Sequence, residues 1–263
     1  MKLALVSDIH GNLEALDAVL REIDREHPGA RLVCAGDVVG YGPDPDACID
    51  RLKQRNAACV MGNHEEMVLG RRDFSNCIYS GIIAAVWTRT NLSPSSREFI
   101  EKLPAAAEPG SGVVVCHGNL ENAGIYVSNP ERAAAALEQL RRFRPEATVL
   151  VVGHTHHAAL YTPAGGFRTV SAPGDHDLDS PCLINPGSVG QARDGKTLAR
   201  YAVLDPERRK VSFREISYDH EATLRKLRNA RLVAEVVLTR PKGRLGRLWE
   251  RWKTRRARRR AER

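Results

Sequence analysis

The sequence predicts an α/β fold that contains two β-sheets. Three patterns lead to this prediction: short apolar runs typical of buried strands, a helical repeat between the first two runs, and a later series of short strands separated by Gly, Pro and Asp turns. With 263 residues, of which 42% are hydrophobic, the chain can bury a full core as one domain with insertions.

Five apolar runs in the first part of the chain are predicted to be strands. Continuous Val, Leu, Ala and Cys runs of this length suit strands that are buried on both faces of a sheet. The runs are residues 2–7, 31–35, 57–61, 112–116 and 147–152. Between the first two runs, Asn12 is a candidate N-cap for a helix that Pro28-Gly29 ends. The apolar residues of this helix recur at helical spacing, at Leu13, Leu16, Leu20 and Ile23.

A short polar block lies at the carboxyl end of each apolar run. The blocks are Ser7-Asp8-Ile9-His10, Gly36-Asp37-Val38-Val39-Gly40, Gly62-Asn63-His64-Glu65, Cys116-His117-Gly118 and Gly153-His154-Thr155-His156. In open α/β sheets ligands gather beyond the carboxyl ends of the strands, so we expect the five blocks to converge along one sheet edge. Convergence would bring together eight candidate side chains: Asp8, His10, Asp37, Asn63, His64, His117, His154 and His156.

These side chains offer carboxylate, amide and imidazole ligands but no thiolate. Such ligands suit borderline or hard divalent ions such as Mn, Fe, Zn, Ni or Mg. Seven of the eight residues could ligate, which is too many for one ion. If one Asp bridges two ions, the seven residues provide four protein ligands to each ion. Two ions about 4 Å apart can activate a bridging hydroxide and clamp the oxygens of a phosphoryl group. Phosphate ester hydrolysis is therefore the predicted chemistry.

The order of the blocks resembles the calcineurin-like metallophosphoesterases, whose five motifs all match. The resemblance covers about residues 1–217, and the later turn Asn185-Pro186-Gly187-Ser188 is similar to the small bacterial and archaeal phosphoesterase branch. It implies a two-sheet β-sandwich flanked by helices. It also implies one ion held by Asp8, His10, Asp37 and His156, and a second held by Asp37, Asn63, His117 and His154.

The same resemblance implies that His64 is no ligand. It would stabilise the transition state and protonate the leaving oxygen, while Glu65 would orient the loop. Two departures from the family pattern bear on this. Gly40 stands where the protein phosphatase branch has an Asp that supports the catalytic His, so His64 must find another partner or act without one. The chain reads Gly118-Asn119-Leu120-Glu121-Asn122 where the related branch often has Ser-Pro-Arg. If that Arg normally contacts substrate, its absence weakens the inference that this chain acts on the substrates of that branch.

Phosphodiester hydrolysis is the leading functional hypothesis, because the small bacterial branch often cleaves diesters. The alternatives are hydrolysis of dinucleoside polyphosphates, a phosphomonoesterase or protein phosphatase activity, and a metal-binding interaction scaffold without catalysis. Manganese is the leading metal, with Fe, Zn, Ni or Mg as alternatives. Candidate substrate contacts are Tyr41, Arg89 and Arg193, the last placed to pair with a non-bridging phosphate oxygen or to lie in a solvated turn.

Residues 66–110 form an insertion that the metal motifs do not explain. Its first helix has apolar residues at Ile78, Ile82, Ile83, Val86 and Trp87, and Ser93-Pro94 begins a second helix. We expect a small helical cap over the site, with most of these apolar side chains packed on the body. One or two of its polar residues could contact substrate, from the set Arg71, Arg72, Tyr79, Arg89 and Asn91.

After Gly153 the pattern changes to short strands and turns. The predicted strands are residues 158–162, 167–171, 182–185, 199–204 and 211–216, and they predict a second sheet built largely of hairpins. The catalytic domain would end near residue 217, and residues 218–239 would form a C-terminal helix.

The C-terminal tail carries the chain's basic charge. Residues 240–263 hold twelve Lys or Arg and two acidic residues, a net charge of +10. The whole chain has 40 basic and 32 acidic residues, so residues 1–239 carry 28 and 30, a net charge of −2. The body therefore lacks the basic bias of nucleic-acid-binding enzymes. A disordered or non-specifically RNA-binding extension is the expected form of this tail. The alternative is an amphipathic helix on an anionic membrane, whose apolar stripe would be Leu245, Leu248, Trp249 and Trp252.

Cysteine usage and the start of the sequence bear on location. The six cysteines form no CxxC pair and mostly fall in apolar runs, which is typical of buried, reduced thiols. The first strand begins at Lys2, which leaves no room for a cleavable signal peptide. A cytoplasmic protein is expected, with attachment to the inner face of a membrane through the tail as an alternative.

Overall fold

The computed structural model of the protein describes residues 1–75, 77–110 and 112–232, together with Thr254 and Ala257. The strands are β1 (Leu3–Val6), β2 (Arg31–Cys34), β3 (Ala58–Cys59), β4 (Ala106–Gly110), β5 (Val113–Cys116), β6 (Val149–Val151), β7 (Ala158–Thr162), β8 (Gly166–Thr169), β9 (Gly174–Asp177), β10 (Cys182–Pro186), β11 (Leu198–Asp205) and β12 (Lys210–Ser217). The helices are α1 (Leu13–Glu26), α2 (Pro45–Gln54), α3 (Asn63–Val68), α4 (Tyr79–Asn91), α5 (Pro94–Glu101), α6 (Pro130–Phe143) and α7 (His220–Asn229).

The strands form two mixed sheets of six strands each. The first sheet has the order β3-β2-β1-β11-β12-β9, and the second has the order β4-β5-β6-β10-β7-β8. Their facing sides form one apolar cluster, to which the first sheet contributes Leu5 and Val33 and the second contributes Val115 and Val151. The predicted two-sheet α/β fold is confirmed.

Helices cover the outer face of each sheet. On the first sheet, alternate strand residues such as Ala4 and Val6 pack against Leu16 and other apolar residues of α1. On the second sheet, Val114 packs with Leu140 of α6. Adjacent strand residues therefore face opposite layers, as expected for strands buried on both faces.

The predicted division of strands between the sheets is wrong. The strands after Gly153 do not form a separate sheet, because β11 pairs antiparallel with β1 and β10 pairs parallel with β6. Each sheet thus joins strands from the first part of the chain to strands that follow Gly153. A local hydrophobic pattern predicts that a strand exists, but strand partners are set by long-range packing, which the pattern does not contain.

The region predicted as a cap contains two helices in different places and one strand. Ile82 and Ala85 of α4 pack against Met67 of α3, beside the candidate site described below. Ile100 of α5 belongs instead to the core between the first sheet and its helices. Strand β4 closes the region by pairing with β5. Only the first of the two helices therefore lies at the site.

The C-terminal part of the described chain is anchored to the body. Lys226 of α7 contacts Glu14 of α1 and Asp44, the residue before α2. Of the predicted helix at 218–239, residues 233–239 lie outside the described residues. So does the predicted tail at 240–263, including its apolar stripe, except for two buried residues, Thr254 and Ala257.

Within the described residues, no helix is both long and apolar enough to cross a membrane. The six cysteines, all of them among the described residues, are not joined in disulfides, and all are buried except Cys77, which is partly buried.

Candidate metal centre

The loops that follow β1, β2, β3, β5 and β6 meet at one end of the two sheets. Backbone hydrogen bonds join the first two loops: the amide of Asp8 donates to the Gly36 carbonyl at 3.0 Å, and the amide of His10 donates to the Asp37 carbonyl at 2.9 Å. The structure brings all eight candidate side chains from the polar blocks to this end.

Several of these residues have an unusual backbone. Left-handed φ values between 51° and 66° occur at Asp8, His10, Asp37, His154 and His156. Residues other than glycine rarely adopt this conformation, which costs about 1–3 kcal/mol for each residue. Such strain persists only where the surrounding structure holds it, and it is concentrated at functional sites.

Three histidines are oriented by backbone carbonyls. The contacts run from Nδ1 of His10 to Val39 O at 3.1 Å, of His117 to Ala35 O at 2.7 Å, and of His156 to Gln191 O at 2.6 Å. Because a carbonyl only accepts, each Nδ1 carries the proton and each Nε2 is turned toward the cluster. The Nε2 atoms of His10 and His156 lie 3.1 Å apart, and Nε2 of His154 has no partner within the described chain. Nitrogen lone pairs turned toward one another in this way are suited to a cation.

The ligand atoms fall into two groups whose members lie within 4.8 Å of one another. One group is Asp8, His10 and His156, and the other is Asp37, His117 and His154. Oδ2 of Asp37 lies 3.2 Å from Nε2 of His117 and 3.7 Å from Nε2 of His10, so this carboxylate faces both groups. Oδ1 of Asn63 lies 3.1 Å from Nε2 of His117 and adds an amide oxygen to the second group.

The two buried carboxylates control the charge of the cluster. Burial raises the pKa of Asp8 to about 7, although the His117 charge opposes this rise. Burial alone would raise the pKa of Asp37 too, but His117, His64 and His10 hold it well below its ordinary value. Burial alone would lower the pKa of His117, yet Asp37 and Asp8 raise it to about 10. The cluster thus retains positive charge beside its carboxylates, and divalent cations fit the same place.

His64 lies against this cluster on the first turn of α3. Its amide donates to Oδ1 of Asp37 at 2.9 Å, and its ring centre lies 4.7 Å from the rings of His10 and Tyr41. Burial lowers the pKa of His64 to about 4. A third possible ligand group consists of His10, Asp37 and His64, so the side chain is also near enough to share an ion.

Gly40 supplies no carboxylate to the ring of His64. A Cβ atom on Gly40 would lie 2.2 Å from Nδ1 of His64, so the imidazole occupies the space that a side chain would need. Nδ1 of His64 is buried without a hydrogen-bond partner in the described part of the chain.

Glu65 joins the loops after β2 and β3. Its carboxylate accepts from the amides of Asp37 and Val39, both at 3.0 Å, and of Gly62 at 2.8 Å. Burial raises the pKa of Glu65 to about 7, and the Asp37 charge adds to this rise.

The turn that follows β10 supports the loops after β1 and β6. The Asn185 side chain donates to the Gly153 carbonyl at 2.7 Å, directly before His154. The hydroxyl of Ser188 donates to the Asp8 carbonyl at 2.9 Å. The turn thus reaches the centre, as expected, but through backbone contacts.

A cavity of about 720 Å³, including its open mouth, lies over the cluster. Its walls include five of the candidate residues from the centre, Asp37, Asn63, His64, His154 and His156, as well as Tyr41 and Arg193. Arg89 does not line this cavity: its Nη2 donates to the Met67 carbonyl at 2.6 Å, and its guanidinium lies over the Phe74 ring.

The cavity also contains two residues that the sequence did not predict as site residues: Tyr126, and Ile78, which was named only in the apolar repeat of the first cap helix. Tyr126 and Ile78 lie at its mouth, with exposed fractions of 40% and 51%. The Tyr126 ring centre lies 3.9 Å from that of His154, and its hydroxyl accepts from Arg193 at 3.4 Å. The one available signal was an aromatic residue in the polar loop that follows the His117 block.

Comparison with known proteins agrees with this geometry. The family model of the calcineurin-like phosphoesterase superfamily domain matches residues 1–209. The chain is 32% identical over 234 residues to an uncharacterized protein of Methanocaldococcus jannaschii, covering 88% of this chain and 93% of the relative.

Two solved structures have the same fold. A metallophosphoesterase from Sphaerobacter thermophilus matches with a TM-score of 0.77 and 30% identity, over 90% of this chain and 97% of that one. A hypothetical protein from Pyrococcus horikoshii OT3 matches with a TM-score of 0.68 and 22% identity, over 90% and 96% of the two chains. With its five motif blocks gathered at one end of two packed sheets, the chain belongs to the calcineurin-like phosphoesterase superfamily, a family of metal-dependent phosphoric ester hydrolases.

Proposed function

We propose that this protein is a dinuclear metal-dependent phosphodiesterase. Asp8, His10, Asp37 and His156 would hold one ion, and Asp37, Asn63, His117 and His154 would hold the other. The observation that carries the proposal is the position of Asp37, whose Oδ2 faces a histidine of each group at 3.2 and 3.7 Å. Manganese is the first ion to test. The oxygen and nitrogen ligands also suit Fe, Zn, Ni and Mg.

When bound, two divalent ions supply Lewis-acid activation of water and of the phosphoryl oxygens. The chain's own part begins with its backbone. Carbonyls that fix Nδ1 of His10, His117 and His156 keep each Nε2 ready to ligate, so binding needs little rearrangement of these rings.

His64 is the proposed general acid. It lines the cavity next to Asp37, and no hydrogen bond from the described residues holds its ring nitrogen Nδ1. A bound phosphate anion favours the imidazolium form, which opposes the effect of burial on this pKa. Transfer of its proton to the leaving oxygen would complete the displacement.

Arg193 is the proposed phosphate contact. Within the described chain its one hydrogen bond goes to the Tyr126 hydroxyl, and no carboxylate lies within ion-pair distance. The other arginine that lines the cavity, Arg72, is paired with Glu66. One cation without a carboxylate partner suits one phosphoryl group, which favours a diester over a dinucleoside polyphosphate.

A scaffold without catalysis is the competing hypothesis. A scaffold has no need of reactive side chains in an open cavity beside the metal ligands. In this cavity lie the imidazole of His64 and the guanidinium of Arg193, which has no carboxylate partner among the described residues. Their presence is what favours an enzyme.

Hydrolysis by the manganese-loaded protein tests the proposal. We expect bis-p-nitrophenyl phosphate to be cleaved faster than p-nitrophenyl phosphate or a dinucleoside polyphosphate. The substitution His64→Gln should lower kcat by about 10²–10⁴-fold, while the metal content measured by mass spectrometry stays at two ions per chain. A protein that binds both ions and hydrolyses none of these substrates would instead be a scaffold.

A further inference from the structure

We propose that the cavity selects phosphoesters that carry a flat aromatic ring, as nucleotides do, and that Tyr126 and Ile78 contact this ring. The inference rests on the proposed function in one respect: the phosphoryl group is taken to lie at the metal centre. It adds the class of group that is attached to the phosphate.

The first observation is the location of exposed apolar side chains. Among the described residues, four large hydrophobic side chains are exposed: Met1, Ile78, Tyr126 and Phe143. Two of them, Ile78 and Tyr126, come from segments far apart in the sequence yet line the same cavity. Isolated exposed apolar residues are ordinary, but two at the mouth of one cavity provide an apolar surface for a ligand.

The second observation is that Tyr126 is held in place. Its ring lies against the His154 ring, with the ring centres 3.9 Å apart and the ring planes inclined by 38°, and its hydroxyl accepts from Arg193. The exposed 40% of the residue therefore belongs to the side turned away from His154. A ring fixed in this way can stack on a ligand with little loss of conformational freedom.

Ile78 is available to contact a ligand because it is not used in the packing of the protein. It is the N-cap residue of α4, has an exposed fraction of 51%, and belongs to none of the apolar clusters of the described chain. Its neighbours Ile82 and Ala85 carry the packing of this helix. The side chain thus has no role in the described core that would explain an isoleucine.

The third observation is the order of groups along the cavity wall. Tyr126 contacts both the proposed metal ligand His154 and the cation Arg193. A phosphate held by Arg193 at the centre would have its substituent beside Tyr126.

The test compares two ligands that differ only in the ring. Binding of adenosine 5′-monophosphate and of ribose 5-phosphate to the manganese-loaded protein is measured by calorimetry. We expect the nucleotide to bind at least about tenfold more tightly, which is the effect of stacking one base on an aromatic side chain. If either ligand is hydrolysed, the ratio of kcat/KM values replaces the ratio of dissociation constants.

Four variants assign the preference to residues. Tyr126→Ala and Ile78→Ser should each move the affinity ratio toward one, whereas Tyr126→Phe, which keeps the ring, should preserve it. Phe143→Ala is the matched control, because Phe143 is exposed to the same 40% but lies at the end of α6 and does not line the cavity. Melting curves check that each variant is folded.

Two outcomes would overturn the inference: a ratio near one in the unmodified protein, or a ratio that neither Tyr126→Ala nor Ile78→Ser changes. The proposed function fails separately. A protein that prefers the nucleotide but cleaves no phosphoester contradicts the phosphodiesterase proposal alone, and one that cleaves diesters without any preference contradicts this inference alone.

Discussion

Gly40 lies so close to the His64 imidazole that no larger residue fits at this position without moving the ring. The backbone φ of Gly40 is 87°, which favours glycine. A Cβ atom at this residue would lie 2.2 Å from Nδ1 of His64. Related enzymes that support their catalytic His with an Asp at this place must therefore hold the ring differently. Here the ring is fixed by packing against Tyr41 and His10.

Gly40→Ala should therefore displace His64. We expect kcat for bis-p-nitrophenyl phosphate to fall at least about tenfold with metal content unchanged, because a proton donor acts only within hydrogen-bond reach. Gly29→Ala is the matched control: its φ is 83°, so the backbone strain is similar, but nothing lies within 4 Å of the added Cβ. Equal activity in the two variants would show that the position of His64 does not limit the reaction.

At the residue scale, the sequence predicted which side chains meet at the centre better than it predicted which residues outside the polar blocks line the cavity. Asp8, Asp37 and His117 could be predicted because each directly follows an apolar strand, and parallel strands bring their carboxyl ends together. Tyr126 could not, since the loop that holds it has no regular pattern. Arg89 was predicted as a substrate contact from its helix alone, and the side chain turns to the Met67 carbonyl instead.

Glu65 connects two elements that the site depends on. Three backbone amides from the loops after β2 and β3 donate to its carboxylate. Because the group is buried, each lost bond leaves an unsatisfied donor. Helix α3 thereby fixes the loop that carries Asp37.

Glu65→Gln tests this connection. The backbone amides donate to both carboxylate oxygens of Glu65. A Gln side chain has only one oxygen, so at least one buried backbone donor loses its partner. We expect the free energy of unfolding to fall by about 2–4 kcal/mol in urea titrations of the metal-free protein. Glu98→Gln, which removes an exposed charge paired with Lys102 on α5, should change it by less than about 1 kcal/mol. A similar small change in both variants would refute the connecting role.

Element prediction succeeded where the pattern is local. The N-cap Asn12 and the apolar repeat behind it predicted α1, and the Asn12 side chain accepts from the amide of Ala15 at 3.2 Å. The assignment of β11 and β12 to a separate sheet failed because β11 pairs with β1, where Leu204 lies opposite Leu3 from the start of the chain, and β12 follows β11 into the same sheet. Nothing within a strand specifies a partner at that distance.

The whole molecule places its buried charges at one end of two packed sheets. The body is otherwise close to neutral, with a net charge of −2 over residues 1–239, so we expect the candidate metal centre, rather than the overall charge, to determine what it binds. Asp8 and Asp37 are fully buried. Without cations, their charges are compensated by protonated imidazole, which is a weaker arrangement than a pair of divalent ions.

Metal binding should therefore stabilise the entire fold. Ions that bind only the folded state add about 4 kcal/mol for each site at a concentration 1,000 times the dissociation constant. We expect the melting temperature to rise by at least about 5 °C when manganese replaces a chelator. Asp37→Asn should lose most of this increase, whereas Asp17→Asn, on the partly exposed side of α1, should keep it. An equal increase in both variants would contradict the role of Asp37.

The central claim is that two ions share Asp37. Anomalous diffraction from crystals of the manganese-loaded protein tests it most directly. We predict two anomalous peaks about 3.5–4 Å apart, one beside Asp8, His10 and His156 and the other beside Asn63, His117 and His154, with the Asp37 carboxylate between them. A single peak at full occupancy, or two peaks of which only one contacts Asp37, would contradict the account.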